Sequence, residues 1–318
     1  MNLRQQTAAL FDEQLTSWPL LKSNWRKLSA AQVRTFPFDG FSIRVQFNPK
    51  RITSSAAKVD PDSIGKRPCF LCQANRPAEQ RSLEFGEDYE ILCNPYPIFE
   101  RHYTIVKTAH TPQMIDPEIG RMLDVSGELP GLVVFYNAPA CGASAPDHMH
   151  FQAGSRGFMP IEKELNELVS RYGRTIRMQE GFRAVAIDDG LRRMILLESG
   201  GKEQIEQAFT HISGFMREKA GGKEPMLNIL AWCDTTWQVL VFPREKHRPW
   251  QFFEQGEKNI LLSPAAVDMG GTLITPLGKD FMKIDREDIT DIFSQVTLRR
   301  EGFDQLKGIL EKRLNHGP

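Results

Sequence analysis

The segment that most restricts what this chain can fold into lies near its middle, "LPGLVVFYNAPACGASAPDHMHFQAG", residues 129–154. Its first part is β-branched and aromatic and reads as a strand. A run of small residues follows, and then His148, His150 and Gln152 stand at alternate positions. If strand geometry resumes there, side chains two apart share a face, so all three polar groups point one way. Gly142 and Ser144, just before the motif, suggest a backbone that something approaches closely. The plain alternative is a pair of partly buried, satisfied histidines. Two of the chain's seven histidines plus a glutamine at strict alternation argue for a site instead.

The flanking text supplies the rest of a sheet. "FSIRVQFNPKRITSS" alternates as a strand does, "YEILCNPYPIF" and "HYTIVKTAH" read as strands around a Pro-rich turn, and "RAVAIDD" and "RRMILLES" form a hairpin around "DDG". "MLNILAW" and "WQVLVFP" are strands as well. Residues 1 to about 35 read as a helical lead-in with a weak apolar stripe. "PIEKELNELVSRYG" is a helix, with Pro160 at its start, Ile161, Leu165, Leu168 and Val169 on one face and Gly173 past its end. "EQIEQAFTHISGFMREKAGG" is a second helix stopped by Gly221 and Gly222, and "GFDQLKGILEKRL" closes the chain. Helices and strands mix without strict alternation, which predicts an α+β fold with a mainly antiparallel sheet. "HYTIVKTAH" and "QVLVFPREKH" each end a strand on a basic turn and a histidine, His110 and His247. Each follows an asparagine-containing strand, an echo that suggests two half-repeats. The expected division is a lead-in over 1–44, a first half over 45–173, and a second, degenerate half with the closing helix over 174–318.

Charge narrows the partners. Lys+Arg and Asp+Glu both number 40 in 318 residues, so there is no basic excess of the kind that DNA or RNA binding needs. A single nucleotide remains open, because its phosphates need only a few local cations. Five cysteines do not resemble a disulfide framework. The N-terminus lacks a secretory pattern and no apolar run approaches the ~18 residues of a membrane span. A cytoplasmic protein without membrane or nucleic-acid partners is expected.

The motif suggests chemistry. A neutral imidazole is a competent nucleophile toward phosphorus, and the phosphoramidate it forms can pass its group onward. Gln152 can donate a hydrogen bond to a phosphate oxygen. It cannot supply a proton with a useful pKa, so the leaving group and acceptor should already be anionic phosphates. Transfer or phosphorolysis is therefore favoured over hydrolysis.

"RPCFLCQANRP" brings Cys69 and Cys72 at CxxC spacing. A redox pair lacks its βαβ context, and zinc needs about four N/S ligands while no second CxxC exists. The cysteines either join His110 and His148 in a Cys2His2 zinc site or form a packed turn. "PREKHRPW" adds Arg244, Lys246 and Arg248, read either as a solvated basic turn or as a clamp on a second phosphate.

These motifs resemble those of the galactose-1-phosphate uridylyltransferase and diadenosine tetraphosphate phosphorylase branch of the histidine-triad superfamily. The resemblance covers most of residues 45–285, and its HxHxQ and CxxC segments are the specific parts. It implies a HIT-like fold of two half-repeats in which His150, the second motif histidine, accepts the nucleotidyl group. "PCFLCQAN" resembles the uridylyltransferase zinc knuckle, which implies ligation by Cys69, Cys72, His110 and His148. The spacing from Asn137 to Gln152 matches the uridylyltransferase pattern, whereas "GASAPDHMHFQ" and the later "SPAAVDMGG" are closer to the phosphorylases. "QFNPKRITSSAAK" resembles a nucleotide-binding strand and makes Arg51, Ser54, Ser55 and Lys58 candidate phosphate or ribose contacts, beside Asn137 and Ser144. The expected activity is nucleotidyl transfer or phosphorolysis on a nucleotide sugar or dinucleoside polyphosphate, with phosphate or a sugar phosphate as acceptor. The alternatives are a hydrolase of nucleotide conjugates and an inactive nucleotide-binding protein. A homodimer is one assembly compatible with these motifs.

Overall fold

A computed structural model describes residues 1–49, Ile52 and 61–316. Arg51, Ser54, Ser55 and Lys58 lie outside the described residues. The chain opens with helices Leu3–Ser17 and Pro19–Arg26, and Asn2 caps the first of them by accepting from the Gln5 N–H at 2.9 Å. The lead-in is not helical to its end. Residues Val33–Pro37 form strand β1, which pairs with β2, Ser42–Phe47, so the expected boundary at residue 44 falls inside a strand.

Ten further strands build one sheet. They are β3 (Ser82–Phe85), β4 (Tyr89–Cys93), β5 (His102–Lys107), β6 (Leu132–Asn137), β7 (His150–Ser155), β8 (Gly173–Gln179), β9 (Phe182–Asp188), β10 (Arg193–Ser199), β11 (Leu227–Cys233) and β12 (Trp237–Pro243). Their order is β3-β4-β5-β7-β6-β11-β12-β10-β9-β8, with every pairing antiparallel. Five strands in one order are thus followed by five in the mirrored order, and the two halves meet where β6 pairs with β11. Helix Ile119–Glu128 comes before the fourth strand of the first half, and helix Lys202–Lys219 before the fourth of the second. The half-repeats are real, but the textual echo between β5 and β12 misaligns them. β5 is the third strand of its half and β12 the fifth, so their likeness reflects shared strand composition.

Both faces of the sheet are covered, which is why strands such as "MILLES" and "LNILAW" are nearly continuous in apolar residues instead of alternating with polar ones. One face packs Tyr103, Ile105, Phe151 and Val239 against helices Leu3–Ser17, Ile119–Glu128, Lys202–Lys219 and Arg300–His316. The other packs Phe135, Leu196, Leu230 and Leu240 against helices Ile161–Tyr172 and Arg286–Val296 and a small second sheet. Each fully buried Leu or Ile contributes about 1.5–3 kcal/mol relative to exposure. The small sheet joins β1 and β2 to β13, Thr272–Thr275, with β13 running parallel to β2. Long-range closure of this kind leaves no local trace in sequence. Among the described residues no helix is long and apolar enough to cross a membrane.

Candidate active site

The site lies where β6 and β7 stop pairing. Their register runs from Leu132 opposite Ser155 to Phe135 opposite Gln152 and goes no further. Beyond it the Gln113 side chain stands between the strands. Its Oε1 accepts the His150 N–H at 2.8 Å, while its Nε2 donates to the His150 carbonyl at 2.9 Å and to the Asn137 carbonyl at 3.1 Å. One amide replaces a missing peptide partner, so two strand ends separate without leaving buried backbone groups unpaired. A cavity of about 630 Å³ adjoins this end of the sheet. That is within the range of small-molecule sites.

His150 and Gln152 both line this cavity, as expected from their alternation. His148 does not follow them. Strand β7 begins only at His150, and the His148 N–H closes a turn onto the Ala145 carbonyl at 3.2 Å, which directs its ring toward the cysteines. The His150 Nδ1 lies 2.8 Å from the His148 carbonyl oxygen. A carbonyl only accepts, so Nδ1 carries the proton and Nε2 keeps its lone pair. Burial pulls the pKa of His150 down to about 4, outweighing the opposing backbone hydrogen bond. At neutral pH the ring is an uncharged base with its free electron pair on Nε2.

The other expected residues divide. Asn137 and Ser144 line the cavity. The Asn137 Oδ1 accepts from Asn228 Nδ2 and from the Ala266 N–H, each at 2.8 Å. Gly142, at φ +99°, owes its place to the chain itself, because a Cβ there would lie 2.6 Å from that of Ala265. Arg248 also lines the cavity, stacked over Phe252 at 4.1 Å with its Nε donating to Ser263 Oγ at 3.2 Å. Arg244 does not reach it. It is buried, and its guanidinium donates to the carbonyls of Val296, Pro264, Lys246 and His247 and to Asn228 Oδ1. Arg244 therefore holds Asn228, which holds Asn137, and its contribution to a phosphate clamp is excluded by its position. Lys246 is exposed and does not line the cavity. Asn228 enters the sequence reading only as the asparagine of an echoing strand, and local sequence carries no sign of the roles of Gln113 or of His102, whose Nε2 lies 3.0 Å from Gln152 Oε1. Alternation along β5 puts His102 and Thr104 on one face, and the register of β5 with β7 sets that face beside Gln152.

Cys69, Cys72, His110 and His148 form one cluster whose ligand atoms all lie within 4.8 Å of one another. The His148 Nδ1 is 3.3 Å from Cys69 Sγ and 3.6 Å from Cys72 Sγ, and His110 Nδ1 is 3.2 Å from Cys72 Sγ. Tetrahedral ligation with metal–sulfur and metal–nitrogen bonds of about 2.3 and 2.0 Å places such atoms roughly 3.5 Å apart. The His148 Nε2 donates to the Lys107 carbonyl at 2.7 Å, which leaves Nδ1 as the ligating nitrogen. Burial and the neighbouring Cys69 push the Cys72 thiol up, and a divalent cation would reverse that by binding thiolates. The cluster is fit to bind a metal ion. It ties the knuckle to the ends of the adjacent strands β5 and β7.

Residues 10–155 match a family described as "Domain of unknown function (DUF4922)", and residues 193–316 match one described as "GDPGP1-like, C-terminal domain". Galactose-1-phosphate uridylyltransferase of Lactococcus lactis subsp. cremoris is 28% identical over 109 residues, which are 33% of this chain and 21% of that protein. The matched region thus spans about a fifth of the curated relative's length. Yeast Ap4A phosphorylase Apa2 in complex with Ap4A superposes with a TM-score of 0.64 at 14% identity, covering 94% of this chain and 99% of that one. The same enzyme in another crystal structure gives 0.60 at 15% identity, over 93% of this chain and 94% of that one.

Proposed function

We propose that this chain, which has the histidine-triad-like fold of Ap4A phosphorylase and is related in sequence to galactose-1-phosphate uridylyltransferase, is a nucleotidyltransferase or phosphorylase working through a nucleotidyl-histidine. The observation that carries this reading is His150, with its proton fixed on Nδ1 by the His148 carbonyl and the Nε2 lone pair left for the cavity. In the first half-reaction Nε2 attacks the α-phosphorus of a nucleotide sugar or dinucleoside polyphosphate. The N–P bond forms as the bond to the leaving phosphate oxygen breaks, and the leaving group departs as an anion. In the second, an oxygen of inorganic phosphate or of a sugar phosphate attacks the same phosphorus, and the N–P bond breaks to return the neutral ring.

Gln152 donates to a phosphoryl oxygen as its charge develops, and Asn137 flanks the same space. Arg248, which lines the same cavity, supplies positive charge to it. Neither amide can act as an acid, which suits a leaving group and an acceptor that are both anionic. Cys69, Cys72, His110 and His148 would hold one zinc ion in a structural role, which suits a reducing, cytoplasmic setting. Incubation with labelled nucleotide sugars and dinucleoside polyphosphates, with and without phosphate, tests the reading. Mass spectrometry should find an acid-labile nucleotidyl group on His150 that phosphate removes. No labelled His150 with any donor would overturn it.

A further inference from the structure

We propose that His102 is the positioning residue that makes Gln152 a donor, by fixing which end of its amide faces the bound phosphoryl group. This rests on the reading of His150 as the nucleotidyl acceptor. His102 opens β5 and is fully buried, edge-on to Phe99 at 5.2 Å between ring centroids and 5.9 Å from Phe135. Its Nδ1 accepts the Ile98 N–H at 3.3 Å. A ring nitrogen that accepts a hydrogen bond carries its lone pair, so the proton of the neutral ring is on Nε2. That Nε2–H donates to Gln152 Oε1 at 3.0 Å. With the oxygen held, the amide N–H2 of Gln152 is the end left for the cavity.

The alternative amide orientation fails twice. It sets N–H2 against Nε2–H, two donors in a buried place, and it turns a carbonyl oxygen toward phosphoryl oxygens, two sets of acceptors. A glutamine without an inner partner could take either orientation. The ring's own seat is prepared by Gly154, which stands opposite His102 in the β5·β7 register. A Cβ at residue 154 would lie 2.3 Å from the Phe99 ring that packs against His102. A backbone N–H thus sets a tautomer, the tautomer sets an amide, and the amide meets the transferring group.

Two variants of His102, a Gln152→Ala background and one spectrum test this. His102→Phe keeps the aromatic packing and removes the hydrogen bonds to Ile98 and Gln152. His102→Gln can accept from Ile98 with its carbonyl and donate to Gln152 with its amide. The rate of His150 nucleotidylation in a single turnover should fall roughly 10–100-fold in His102→Phe, with KM changed less than about threefold, and recover most of the loss in His102→Gln. In a Gln152→Ala background His102→Phe should cost nothing further. Nitrogen-15 spectra of wild-type protein should show His102 neutral and protonated on Nε2. Protonation on Nδ1, an unchanged rate in folded His102→Phe, or equal losses with and without Gln152 would each overturn the proposal. If wild-type protein labels with no donor, the reading of His150 falls instead, and the spectrum still decides the orientation of the amide.

Discussion

Gln113 and His150, 37 residues apart, are joined as if they were neighbouring strands. The Gln113 amide accepts the His150 N–H and donates to the His150 carbonyl, doing with a side chain what the next residue of β6 would do with its backbone. The separation this permits opens the sheet at His150. Gln113→Ala should leave the His150 and Asn137 backbone groups unpaired in a buried place, lowering stability by roughly 2–3 kcal/mol. Urea denaturation checks this, and an unchanged midpoint would mean that water or another side chain fills the gap.

His150→Gly should abolish nucleotidyl transfer, with a loss of roughly 10³-fold or more, while circular dichroism stays the same. Free imidazole, or a preformed nucleoside phosphorimidazolide, should restore part of the second half-reaction because the missing ring is then supplied from solution. His148→Gly should not be rescued, since its ring faces Cys69 and Cys72. Equal rescue at the two positions would reverse the assignment.

Elemental analysis of purified protein should find close to one zinc per chain. Cys69→Ser should lower the thermal midpoint, while whatever stays folded retains some activity, because the cluster braces β5 and β7 and contributes no atom to the cavity lining. Protein free of metal after expression in zinc-rich medium would reduce the cysteines to packing.

Gln152→His places a titratable group where the amide donates. Transfer should weaken and hydrolysis should appear, because a histidine can move protons for water. The ratio of transfer to hydrolysis, measured with and without phosphate, is the readout, and an unchanged ratio would contradict the role given to the glutamine.

His247 also lines the cavity, and burial, with Arg248 and Arg244 nearby, pulls its pKa from 6.5 to about 4. Between those values the unfolded chain takes up a proton that the folded chain refuses, so its contribution to stability is present above about pH 6.5 and lost on acidification. His247→Gln should therefore lose less stability than wild type between pH 7 and pH 5. Parallel denaturation curves at the two pH values decide the matter, and identical losses would remove His247 from the acid response.

Most strands and the longer helices were legible because they are set by local periodicity. The helix at Ile161–Tyr172 starts after Pro160 and ends at Gly173 as its text predicts, and the Phe182–Asp188 and Arg193–Ser199 hairpin turns at Gly190, φ +87°. Helix Ile119–Glu128 is not legible in its text, because "EIGRMLDVSGE" carries a glycine near each end and no capping side chain. Strand β13 is not legible either, because its four residues gain their partner from β2, more than 220 positions away.

By itself the sequence determined the polar alternation of His150 and Gln152 and the pairing of Cys69 with Cys72, since both are matters of spacing along a few residues. The CxxC spacing made His148 a candidate partner of the cysteines, but did not reveal the departure from the alternation that this requires, because a turn onto Ala145 precedes the strand. Nor could the sequence determine that Arg244 faces inward while Arg248, four residues on, faces the cavity. Those outcomes depend on which carbonyls and amides the assembled sheet brings near. A guanidinium settles where five acceptors surround it, and for Arg244 they come from Asn228, Val296, Pro264, Lys246 and His247. Only the tertiary structure brings Ile98, His102 and Gln152 into one line of hydrogen bonds, because adjacency across strands is set by register and not by distance along the chain.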